Sequence, residues 1–220
     1  MSVAEGHASR RRGRPKATSN RQVFEDLLAT CERLLTEKSH HELSQKELAA
    51  CAGTTEAMIQ YYFGSKDGLL IALMERSVDR VYTGLCELED EIFTLPGNPT
   101  RHLIERLNDL YRAQLATTRL WLSEQASESK VKSSYVSRLS MKTYGKIRKI
   151  MQMLVDKGGY KPRRDVNLIA FTFMSLILSP IWQESVLPAR GLSEDTFTGP
   201  EWIDYLTDLI DAQLRPPRSS

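Results

Sequence analysis

SQKELAACAGTTEAMIQYYFGSK, residues 44–66, is the stretch whose reading decides the fold. Ser44 with Glu47 three residues on fits a capping box, so a helix starts here. Leu48, Ala49 and Ala52 fall on its inner side, and Gly53 stands where a left-handed turn is wanted. Thr54 or Thr55 then caps a second helix that runs to Phe63. Met58, Ile59, Tyr62 and Phe63 give that helix an apolar side, while Glu56, Ala57, Gln60 and Tyr61 fall on the open side. A helix of about nine residues buries little alone, so its neighbours must hold it. Two short helices across a tight turn form a helix-turn-helix, and the free outer face of the second can enter a DNA major groove.

Upstream, Ser19 or Asn20 can cap a helix carrying Val23, Phe24, Leu27, Leu28, Cys31, Leu34 and Leu35 down one face. It spans about five turns and ends near Lys38-Ser39, where it can brace the motif. The loop pair His40-His41 reads as solvated rather than metal-bound. Ahead of this helix, residues 1–16 hold five cations against Glu5, whereas residues 17–66 carry five cations and seven acids. The chain's net charge is +2, so its basic excess sits in the tail. Residues 1–18 have too few apolar groups to fold alone and are expected to be disordered. Within them Arg12-Gly13-Arg14-Pro15 resembles the core of an AT-hook. Glycine permits close approach, proline keeps the chain extended, and Arg12 and Arg14 suit the narrow minor groove of A·T-rich DNA. A merely solvated basic tail is the alternative; the helix-turn-helix that follows at once favours the groove.

Downstream, Ser65 caps a long helix with apolar positions from Leu69 to Ile92, ending near Leu95-Pro96-Gly97 and spanning on the order of 40 Å. The acids Glu87, Glu89, Asp90 and Glu91 on it read as a solvated face. Further helices are expected at roughly 100–117, 119–129, 133–158, 165–186 and 200–214. Lys130 to Arg164 carries eleven cations and one acid, Asp156. Arg138, Lys142, Lys146 and Lys149 share one face there, read as solvated helix surface. No strand pattern or internal repeat is visible. The fold class is therefore all-α, with about nine helices: an N-terminal three-helix unit carrying the helix-turn-helix and a C-terminal helical domain.

Length and composition fit this picture: 220 residues, 41% of them hydrophobic, are enough for a packed core. No unbroken apolar run reaches the roughly 18 residues that span a bilayer, the nearest being Leu168 to Trp182, and the N-terminus lacks a secretory signal. A cytoplasmic protein without membrane partners is expected. Cys31, Cys51 and Cys86 are odd in number and far apart, which suggests buried free thiols rather than a disulfide or metal site. No nucleophile, base and third group stand at a recognisable spacing, so no catalytic residue, cofactor or enzyme activity is expected.

The run LSQKELAACAGTTEAMIQYYFGSKDGLL, residues 43–70, resembles the N-terminal domain of the tetracycline-repressor (TetR/AcrR) family of transcriptional regulators. The shared features are a short helix, an Ala-Gly turn, a recognition helix ending in Tyr61-Tyr62-Phe63, then Ser65-Lys66 and a long helix. The likeness extends over roughly residues 20–75. It implies that Gln45, Lys46, Glu56, Ala57 and Gln60 face base edges, and that Thr55, Tyr61, Tyr62 and Lys66 face phosphates. Gln60 can bind adenine bidentately, Glu56 can accept from cytosine N4, and Ala57 can touch a thymine methyl. Glu56 can equally serve to offset the helix dipole, and Tyr62 by packing alone reads as core. Met58 and Gln60 depart from the family pattern, which has a small hydroxyl residue and Tyr there, so the DNA preference is expected to be individual.

The resemblance further implies a helix-turn-helix domain over 19–66, a regulatory and dimerisation domain over 67–214, and a short disordered end at 215–220. An effector pocket would lie among the helices from the long fourth to the eighth, with Tyr111, Trp121, Tyr144, Met151, Phe173 and Met174 available to line it. A homodimer interface would be built by the last two helices through Leu168, Leu178, Trp182, Trp202, Leu206, Leu209 and Ile210. The expected partners are a palindromic double-stranded operator with A·T-rich flanks, a second copy of the chain and a small-molecule effector. The resulting expectation is a repressor released by that effector. A ligand-independent regulator, repressing or activating, and a helical carrier with a vestigial DNA-binding unit are the alternatives.

Overall fold

The helical periodicity of the sequence becomes nine α-helices among the residues that the computed structural model describes, 17–125, 130–186 and 199–214. They are α1 (Ala17–Glu37), α2 (Gln45–Cys51), α3 (Glu56–Phe63), α4 (Lys66–Glu91), α5 (Pro99–Arg112), α6 (Leu115–Gln125), α7 (Lys130–Gly158), α8 (Val166–Val186) and α9 (Pro200–Leu214). The basic tail with Arg12 and Arg14, and the end at 215–220, lie outside the described residues.

Local chemistry explains most boundaries. Ser65 begins α4, its hydroxyl accepting from the Gly68 amide at 3.0 Å. Asn98 begins α5, its side chain accepting from the Thr100 amide at 2.8 Å while its amide group donates to Asp211 of α9 at 2.9 Å. Pro99 follows at the first helical position, where its missing N–H is harmless. The fifth and sixth helices divide earlier than their sequence suggests, at Ala113-Gln114 rather than near residue 118. The cause is tertiary: buried Gln114 turns its amide onto the Ser77 carbonyl of α4 at 3.1 Å, and the Thr118 hydroxyl bonds the Tyr111 and Gln114 carbonyls, both at 3.1 Å.

α4 is the spine. At about 1.5 Å per residue its 26 residues reach on the order of 39 Å, and α1, α3, α5, α6 and α7 all pack on it. The apolar core is continuous from Leu27 in α1 to Leu214 in α9, so the first three helices and the later ones share it. Ion pairs from Arg76 to Glu25 (3.5 Å) and Glu32 (2.7 Å), and from Arg80 to Glu32 (3.1 Å), tie α4 to α1.

The charged faces of α4 and α7 are solvent-exposed as expected at Glu87, Asp90, Glu91, Arg138, Lys142 and Lys149, but the two faces also pair with one another around the part-buried Glu89 and Lys146. Lys146 and Lys149 (2.7 Å) both hold Glu89, Lys142 holds Asp79 at 2.5 Å, and Lys142 also stands 4.7 Å over the Tyr82 ring. Opposite charges on adjacent helices gain more from pairing than from separate hydration when stems and rings pack beside them. The hydrogen bonds from Lys146 and Lys149 hold the Glu89 carboxyl below the ordinary carboxylate range. Burial works against the charge on Lys146, yet the Glu89 carboxylate and Cys86 sulfur raise its pKa overall.

α8 carries an 18-residue window, Val166–Gln183, with a mean hydropathy of 1.5, long and apolar enough by length and composition to cross a bilayer. A window average tolerates the serines, threonine and Pro180 that interrupt the unbroken run sought in the sequence. Here the helix packs against α5, α6, α7 and α9 and runs on through Pro180.

Candidate nucleic-acid interface and regulatory cavities

The Ser44 hydroxyl accepts from the Glu47 amide at 3.1 Å and begins α2. Its end is a Schellman turn: the Gly53 amide bonds the Ala50 carbonyl at 3.1 Å and the Thr54 amide bonds that of Ala49 at 2.9 Å. Gly53 takes φ +64°, left-handed backbone that side chains other than glycine adopt only with strain. Thr55 is the N-cap of α3 but makes no capping bond through its side chain, so its exposed hydroxyl is not used by its own helix. Gly64, at φ +74°, closes α3.

α3 is held from behind and open in front. Ile59 is fully buried, and Phe63 stacks on Phe24 of α1 with ring centroids 4.9 Å apart. Glu56, Ala57 and Gln60 are exposed, and Tyr61 is 71% exposed. Among the described residues no side-chain hydrogen bond or ion pair holds Glu56 or Gln60. On α2, Lys46 is exposed and Gln45 half-buried beside this row. The structure thus brings together Gln45, Lys46, Thr55, Glu56, Ala57, Gln60 and Tyr61 on one unit, with donors and acceptors suited to base edges and phosphates.

Two residues expected at phosphates have other partners. The Tyr62 hydroxyl donates to the Asn20 carbonyl at 2.8 Å, fastening α3 to the start of α1. The Lys66 ammonium donates to the carbonyls of His40 at 3.0 Å and Leu43 at 2.9 Å, fastening α4 to the loop before α2. Both polar groups thereby help to hold the unit together. The histidine pair likewise differs from a solvated loop: His41 is exposed, but His40 is buried and its Nε2 lies 2.9 Å from Oε1 of the buried Glu124 on α6. Of the cysteines, Cys31 is buried, which pushes its thiol up to about 12, whereas Cys51 is exposed and Cys86 half-buried.

The residues expected to line an effector pocket separate into three groups. Met151 and Phe173 are fully buried core. Tyr111 and Trp121 border a small space of about 20 Å³ among α4, α5, α6 and α7, room for little more than one water. Trp121, Tyr144 and Met174 line a groove of about 620 Å³ between α6, α7 and α8, together with Met141, Phe171 and Trp182. Among the described residues no charged side chain lines that groove; Ser140, Tyr144, Ser175 and Ser179 carry its hydroxyls.

The residues expected at a dimer interface separate too. Leu206 (0% exposed) and Ile210 (1%) face inward, because α9 is apolar on two sides and this side packs on α5. Leu178 is buried at the groove, while Leu168 is 60% and Trp182 50% exposed. Trp202 is half-buried and stacks on exposed Tyr205, with ring centroids 5.7 Å apart, and Leu209 is half-buried. Phe171 and Tyr205 extend this outward apolar face. Phe171 was legible from its spacing of three after Leu168.

Comparison with known proteins places this arrangement. The family described as "Bacterial regulatory proteins, tetR family" matches residues 27–73, from the middle of α1 into α4. Over 92 residues the chain is 30% identical to the HTH-type transcriptional regulator EthR of Mycolicibacterium smegmatis, a match spanning 42% of this chain and 40% of that protein's length. The fold is similar to that of FadR from Bacillus subtilis, solved in complex with stearoyl-CoA: TM-score 0.69, 13% identity, covering 87% of this chain and 100% of that one. It is also similar to the TetR family regulator PfmR from Thermus thermophilus: TM-score 0.63, 19% identity, covering 88% and 99%.

Proposed function

Since the chain belongs to the tetR family of bacterial regulatory proteins, a family of regulators and not of enzymes, we propose that it is a cytoplasmic, homodimeric, sequence-specific transcriptional repressor released by a small-molecule effector. The observation that carries the reading is the outer row of α3. Glu56, Ala57, Gln60 and Tyr61 stand exposed on a helix whose opposite side is locked to α1 and α4. Such a row can read bases without costing the fold anything. Leu168, Phe171, Trp182 and Tyr205 support pairing of two chains through α8 and α9, since an exposed apolar face of this kind favours burial against a copy of itself. Two paired recognition helices then read half-sites one helical turn or more apart.

The uncharged lining that the described residues give the α6–α7–α8 groove supports an apolar effector. An acyl chain of the kind carried by the stearoyl-CoA bound to the B. subtilis FadR suits that lining, whereas its charged group would have to lie outside it. The test is selection of bound duplexes from a random pool at stated salt, followed by gel shift with fatty acids and acyl-CoAs added. A two-fold symmetric site whose complex dissociates on addition is the expected result. Failure to enrich any sequence would overturn the DNA-binding reading. An enriched site indifferent to every added compound would overturn this choice of effector.

A further inference from the structure

Buried donors without acceptors mark the small space among α4, α5, α6 and α7. The hydroxyl of Thr117, a residue 0% exposed, and the indole nitrogen of Trp121, 9% exposed, belong to its wall, and neither has a hydrogen-bond partner among the described residues. Tyr111 and Thr143 stand in the same wall, both buried, and burial alone holds the Tyr111 phenol well above its ordinary value, so it too keeps its proton. Thr118 differs, because its hydroxyl is committed to the Tyr111 and Gln114 carbonyls. Among the described residues no charged side chain borders the space. A buried donor left unpaired is destabilising and folded proteins keep few of them, so two at one small space call for an acceptor.

The donors decide the chemistry of that acceptor. An indole N–H gives a hydrogen bond and takes none, so its partner must carry a lone pair. A carboxylate brought here would lie away from water with no cation beside it, which is costly. A methyl group would leave the donors as they are. About 20 Å³ is room for one oxygen atom. Trp121 also lines the groove of about 620 Å³ among α6, α7 and α8, so its side chain is a wall common to both spaces. We propose that the effector lays its apolar body in the groove and presents an uncharged oxygen, that of a ketone, ester or amide, to Trp121 Nε1 and Thr117 Oγ1. The inference rests on the reading of the groove as the effector site and narrows its ligand, because an acyl chain entering methyl end first leaves both donors unpaired. Trp121 and Thr117 set which end group is accepted, since a site built to bond an oxygen rejects an analogue that lacks it.

Isothermal titration of the full chain tests this with probes of matched length: methyl heptyl ketone, nonanoate and octyl chloride, the last a poor acceptor. The ketone should bind about tenfold tighter than either of the others. Thr117→Val keeps the side chain's shape and removes its hydroxyl; it should weaken the ketone about fivefold and leave octyl chloride within about twofold. The Trp121 indole N–H resonance, identified by its loss in Trp121→Phe, should move downfield with the ketone and stay in place with octyl chloride. Equal affinity for ketone and chloride, tighter binding of nonanoate, a Thr117→Val loss shared by every probe, an unmoved indole resonance, or no binding at all would overturn the proposal. If the ketone binds as expected yet leaves the DNA complex intact in the gel shift, the oxygen site stands and the effector reading falls. If fatty acids or acyl-CoAs dissociate that complex while the ketone fails to bind, the effector reading stands and the oxygen site falls.

Discussion

Gly68 and Phe63 meet so closely at the corner between α3 and α4 that a Cβ on the glycine would stand 1.9 Å from the phenylalanine carbonyl oxygen. Backbone cannot yield as a flexible side chain does, so Gly68→Ala must push the recognition helix off its seat. The expected loss is about 1–3 kcal/mol, the range of overpacked cores. Urea unfolding checks it, with Gly145→Ala, where a Cβ meets nothing within 4 Å, as the control.

Lys66→Met removes a donor shared by the His40 and Leu43 carbonyls. A stability loss of about 1–3 kcal/mol is expected, the cost of leaving part-buried carbonyls unpaired. The salt dependence of DNA binding should stay as it was. A slope reduced by about 0.9 per chain with stability intact would place the ammonium on a phosphate instead.

Gln60→Ala should leave the unfolding free energy within about 0.5 kcal/mol of wild type, since the residue is exposed and uncommitted. Selection from a random duplex pool should show relaxed preference at one base pair per half-site, worth about 1–3 kcal/mol.

Deletion of residues 1–16, which hold five of the chain's cations, should flatten the salt dependence by about 0.9 for each phosphate the tail neutralises, and keep the selected sequence. Binding titrations across salt concentrations read both effects; an unchanged slope would show that the tail neutralises no phosphate.

Glu89 provides an acid-sensitive element. Its carboxyl titrates below its ordinary value of 4.5 because Lys146 and Lys149 bond the charged form. A depressed folded value means that the stabilisation is fully present above 4.5 and is lost as pH falls through the folded value. Urea midpoints of wild type and Glu89→Gln should therefore differ near neutrality and converge on acidification. A constant gap down to the acid limit would assign the difference to packing.

The helix-turn-helix was legible because its signals are local: the Ser44 cap, the glycine of a Schellman turn and the Ser65 cap act within a few residues of themselves. What remained hidden depends on distant partners. The α5–α6 break has no glycine or proline and exists because Gln114 finds the Ser77 carbonyl. Periodicity identifies α9 as apolar, but Leu206 and Ile210 are equivalent to Tyr205 and Leu209 until the position of α5 is known. Tyr62 and Lys66 carry groups able to bind phosphate, and only the fold reveals that Asn20, His40 and Leu43 already occupy them. The ion pairs of α4 with α7 were hidden for the same reason, since a row of lysines reads as solvent-facing until an acidic helix is laid beside it.

The open row of α3 has a consequence for how such a protein can diverge. Because the exposed side chains of Ala57 and Gln60 contribute almost nothing to holding their own helix, each can be exchanged without a compensating change elsewhere. A duplicated copy of the chain could acquire a different address on the chromosome in a few single-residue steps, every intermediate remaining folded.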